Sequence, residues 1–153
     1  MKIVKSHDTI NSFGGLNFIS DEFDKLKLSE ISTNHLGLRS KLATYEYHDI
    51  VKNLWMIYFA GGDCAEDIQT NLKVELSNIK NMKLCSADTI LRLQKILNTE
   101  KEIHLSKAEV VNEFNNNDKL NKLNLAVLLQ TRQLTSGKEY DFDFDNQFIA
   151  CEK

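Results

Sequence analysis

Residues 49–60 constrain the fold of this chain more than any other stretch. Ile50, Leu54, Ile57 and Tyr58 fall at helical spacing on one stripe, and Val51, Trp55, Met56 and Phe59 cover most of the remaining circumference. A helix that is apolar nearly all round must be surrounded by other elements, so the spacing predicts a bundle with this helix in its middle and Trp55, Met56 and Phe59 in the core. Gly61-Gly62 stops it, because glycine enters the left-handed conformation without a Cβ penalty. The apolar run is far short of the ~20 residues that cross a bilayer. No proline occurs in the 153 residues, so nothing in the chain removes a helical N–H or clashes with a preceding turn.

Other segments carry the same period. Gly14-Gly15 precedes a helix from Leu16 to Leu28 with Leu16, Ile19, Phe23 and Leu26 on its inner face. Ser29 is placed to cap a short helix ending at Leu36, closed by Gly37, and Asp63 to cap one from Cys64 to Leu72. Ser86 is a good N-cap for a helix over Ala87–Leu97, with Asp88 in the first turn where the dipole favours an anion. Its inner stripe is Ile90, Leu93 and Leu97, so Arg92 and Lys95 point elsewhere. Ser106 with Glu109 reads as a capping box opening a helix to Phe114, Asn115-Asn116-Asn117 as a loop, and Asp118–Gln133 as a last helix. Lys2–Lys5 reads as a short strand.

Composition narrows the chemistry. Hydrophobic residues at 42% and charged residues at 27% are the balance of a soluble globular domain. A net charge of −3 excludes a uniformly basic nucleic-acid coat, so any phosphate binding must come from a local patch. Only Arg39, Arg92 and Arg132 offer guanidinium groups, while Lys73, Lys80, Lys83, Lys119 and Lys122 form a diffuse set interrupted by acids. Cys64, Cys85 and Cys151 are odd in number and far apart, which points to neither a disulfide framework nor a zinc site and favours a reducing cytosol. Cys64 reads as a small buried or half-buried residue. His7, His35, His48 and His104 show no ligand or triad spacing. The start of the chain lacks a signal-peptide core, so the expected location is cytoplasmic, without a membrane.

After residue 134 the period changes. Thr135-Ser136-Gly137-Lys138 is a turn, and Tyr140-Asp141-Phe142-Asp143-Phe144-Asp145 alternates aromatic and acidic residues, the pattern of a strand. Its three carboxylates would lie on one side, roughly 6–7 Å apart between successive Cα atoms. Such a row needs solvent, a basic partner or a hard divalent cation such as Mg²⁺ or Mn²⁺. The other reading is an edge strand whose acidic face is solvated and guards against edge pairing.

Four segments together resemble the N-terminal part of a bacterial DDE-type insertion-sequence transposase. Ser12-Phe13-Gly14-Gly15-Leu16 leading into Phe23-Asp24-Lys25-Leu26 resembles the opening of these enzymes. Phe59-Ala60-Gly61-Gly62-Asp63-Cys64-Ala65-Glu66-Asp67-Ile68 resembles their "AGGD…ED-I" segment. Cys85-Ser86-Ala87-Asp88-Thr89-Ile90-Leu91-Arg92 resembles their "PS-x-x-T-x-x-R" helix start, with Cys85 where proline is usual. Asp143-Phe144-Asp145-Asn146-Gln147 resembles the "LDxDxT" strand that opens their RNase H-like catalytic domain, with Gln147 replacing the hydroxyl residue.

The resemblance implies a mainly α fold: a helical, DNA-end-binding module over residues 1–134, then from 135–153 the first β-strand of an incomplete RNase H-like domain. It implies Asp145, or alternatively Asp143, as the first catalytic acid and metal ligand. In the full-length enzyme Mg²⁺ or Mn²⁺ would assist attack by water and then by a 3′-hydroxyl on a DNA phosphodiester. The chain is expected to be an N-terminal fragment lacking the second and third acids, inactive alone and holding no ion stably. The expected partner is terminal-inverted-repeat DNA, with a homodimer in the full-length enzyme, and the expected contacts are Ser86, Thr89, Arg92 and Lys95. The competing class is a non-catalytic helical protein-interaction module.

Overall fold

A computed structural model of the chain describes residues 12–97, 101–105, 107, 111–115 and 117–141. These residues form a mainly helical fold: α1 (Gly15–Lys25), α2 (Leu28–Leu36), α3 (Tyr47–Phe59), α4 (Asp67–Thr70), α5 (Lys73–Ser77), α6 (Ala87–Leu97), a hairpin of β1 (Lys101–Leu105) and β2 (Val111–Asn115), and α7 (Asp118–Gln130). One apolar core joins Leu16, Leu36, Ile50, Met56, Ile57, Ile68, Leu76, Ile90, Leu93 and Leu123, and so draws on most of the helices. No helix among the described residues is long and apolar enough to cross a membrane.

The single helix expected over Leu16–Leu28 is two pieces. Lys27 takes a left-handed conformation at φ 54°, which ends α1 at Lys25 and turns the chain into α2 at Leu28, ahead of the expected Ser29 cap. Gly37 closes α2 as expected, at φ 86°.

The central helix begins on a capping box that hydropathy does not reveal: the Asp49 carboxylate accepts the Glu46 N–H at 3.0 Å while Glu46 serves the Asp49 backbone. Its buried side holds Ile50, Val51, Met56 and Ile57, but also Lys52 and Asn53. These two polar residues sit on the same side of the helix as Met56 and Ile57, and at the C-terminal end of the helix Tyr58 and Phe59 turn outward. Tyr58 and Phe59 are 58% and 59% exposed, which corrects the expected place of Phe59 in the core, and Leu54 and Trp55 are half-buried. Lys52 is held under cover by Asp24 at 3.4 Å and by the Phe23 ring at 4.9 Å. Phe23 in turn meets Trp55 edge to face at 5.8 Å.

The Gly-Gly turn is a built unit. Gly61 adopts φ 82°, the Gly62 N–H bonds the Ile57 carbonyl at 2.9 Å, and a Cβ on Gly62 would stand 2.7 Å from the Ile57 side chain. The Asp67 carboxylate then accepts the N–H groups of Asp63 at 2.9 Å and Cys64 at 3.3 Å and the amide of Asn71 at 2.7 Å. Asp67, rather than Asp63, is therefore the organising acid. The helix expected from Cys64 starts only at Asp67, because the preceding N–H groups point back to that carboxylate. Cys64 is exposed, against expectation.

Where the expected Ser106–Phe114 helix falls on described strand residues, Val111–Phe114, the chain is strand; Ser106 and 108–110 lie outside the described residues. β1 and β2 pair antiparallel, with Lys101 opposite Asn115, Ile103 opposite Glu113 and Leu105 opposite Val111. Alternation in Lys101–Leu105 and the β-branched Val111 suit a strand, and cross-strand pairing overrides the helical reading of Val111–Phe114. Asn117 caps α7 by accepting the Leu120 N–H at 3.2 Å, and α7 packs on α2. Gly137 supplies the expected turn at φ 80°. Tyr140 and Asp141 have no strand partner among the described residues, and the rest of the expected acidic strand, including Asp143 and Asp145, lies outside them, as does Lys2–Lys5.

Candidate nucleic-acid interface

α6 spans the expected residues because its apolar side chains recur at three and four, and Ala87, Ile90, Leu93 and Leu97 are buried, with α3 its main helical neighbour. Its approach is fixed by polar groups on other elements. The Asn53 amide, 1% exposed, donates to the carbonyls of Asp49 and Lys83, both at 2.8 Å, and its oxygen accepts the Cys85 N–H at 3.1 Å. The Tyr45 hydroxyl donates to the Leu84 carbonyl at 3.0 Å, and the Lys83 ammonium pairs with Asp49 at 3.1 Å. Lys83 and Cys85 are thus tied to α3, and Leu84 to Tyr45 in the segment leading into it, immediately before α6 begins. Burial pushes the Cys85 thiol up to about 11, so this residue stays protonated and packs as a small apolar group.

The four expected contact residues divide into two kinds. Ser86 and Thr89 are partly buried and engage each other: their hydroxyls lie 3.0 Å apart and the Thr89 N–H approaches the Ser86 oxygen at 3.4 Å. They form the helix start. Arg92 and Lys95 are exposed on the side away from Ile90, Leu93 and Leu97, and hold no ion pair among the described residues. Asp88, one turn before Arg92, is exposed on the same face and tempers its positive charge.

Elsewhere the positive charge is partly engaged. Arg39 donates to the Tyr45 carbonyl at 2.6 Å and lies over the Tyr47 ring at 5.7 Å, which locks the loop into α3. Lys122 pairs with Asp118 at 3.1 Å, whereas Lys73, Lys80, Lys119 and Arg132 are exposed. Among the described residues no group of three or more His, Cys, Asp or Glu side chains is gathered to hold a metal ion. Asp141 is exposed, while Asp143 and Asp145, the expected metal ligands, lie outside the described residues. The positioning role of Asn53 and Tyr45 escaped sequence reasoning. The one available signal was an asparagine in the middle of the most apolar helix.

No family model, no curated protein and no solved structure matches the chain.

Proposed function

We propose that this chain is the helical N-terminal part of a DDE-type insertion-sequence transposase and that α6 helps to bind transposon-end DNA. The observation that carries the reading is α6 itself: a helix anchored through Asn53 and Tyr45 at its approach, with the Arg92 guanidinium and Lys95 ammonium turned outward and unpaired among the described residues. A guanidinium and an ammonium three residues apart can meet successive phosphates or a phosphate and a base edge. Two of the four resembling segments also correspond to local devices with clear physical purposes, the Gly61–Asp67 turn and the Ser86 helix start.

In this reading strand cleavage and joining belong to the complete enzyme. Asp145, or alternatively Asp143, would there be the first acid holding Mg²⁺ or Mn²⁺, and this part of the protein would bring the DNA end to it. The test is fluorescence anisotropy with a labelled duplex carrying the terminal inverted repeat of the DNA element that encodes the chain, against a shuffled duplex of equal length. A preference of about tenfold or more for the repeat is expected, the lower bound lying about two orders of magnitude below the ~10³ at which operator-type specificity begins. Equal affinity for the two duplexes, or none for either, overturns the proposal.

A further inference from the structure

We draw no further inference here: the strongest candidate, the apolar groove between α1, α3 and α7 lined by Phe18, Phe23, Trp55, Phe59 and Val127, is an unpartnered face, and nothing in the structure shows what covers it.

Discussion

Asn53 occupies a position that hydropathy would give to leucine, and both ends of its amide are used. Asn53→Ala leaves the Lys83 carbonyl and the Cys85 N–H without that partner, so it should destabilise the fold by about 2–4 kcal/mol in urea denaturation, one buried polar group being worth about 1–3. A loss under 1 kcal/mol would show that the segment before α6 is held by other means. Gly62→Ala should cost about 1–3 kcal/mol through the contact with Ile57, since that side chain belongs to the buried core and cannot simply swing away. The two glycines differ in how readily they are understood. The need for Gly61 follows from ending a helix, whereas the need for Gly62 depends on where Ile57 lies in space. The thiols differ as well. Iodoacetamide at pH 8 followed by peptide mapping should label Cys64 in the native protein and Cys85 only after unfolding, because Cys85 is both buried and held protonated. Native labelling of Cys85 at the rate of Cys64 would contradict its place in the core.

At the scale of elements, α6 was legible because its stripe, its N-cap and its outward cations all follow from residues within one short window. The helix expected over Ser106–Phe114 gives way to strand at Val111–Phe114 for the opposite reason. Strand pairing joins Lys101–Leu105 to Val111–Asn115, and a capping pattern read locally carries no information about that. Ile103, Leu105 and Val111 are each more than half exposed, and a two-stranded hairpin gains little stability by itself. Its backbone amides should therefore exchange with deuterium far faster than those of Ile50–Ile57, and equal protection would show that the hairpin is as firmly held as α3. The turn between α3 and α4 should respond to acid. Hydrogen bonds from the N–H of Asp63 and the Asn71 amide hold the Asp67 carboxyl below its usual value of 3.8. The unfolded chain then takes up the proton first, so this contribution is complete above the unfolded value and disappears as pH falls through the lower folded one. The stability difference between wild type and Asp67→Asn should shrink over that acid range, and a difference that widens on acidification would reverse the assignment.

For the whole molecule, the bundle and its core were readable because one strongly apolar helix demands neighbours on most sides. Which side stays open was not readable, since the burial of Lys52 against Asp24 and Phe23 depends on the packing of α1 on its surroundings. For the candidate site, the outward direction of Arg92 and Lys95 followed from period alone, but the mutual engagement of Ser86 and Thr89 did not. A protein of net charge −3 gains little from nonspecific attraction to DNA, so binding must be concentrated where unpaired cations stand together. The most direct measurement is the salt dependence of affinity for end DNA, between 50 and 200 mM, in wild type and in Arg92→Ala/Lys95→Ala, with helix content checked by circular dichroism. Each neutralised phosphate contributes a slope of about −0.9 in log affinity against log salt, so the double variant should bind more weakly with a slope shallower by about 1.8 if both cations meet phosphates. Wild-type slope and affinity in a correctly folded double variant would contradict the assignment of α6 to DNA.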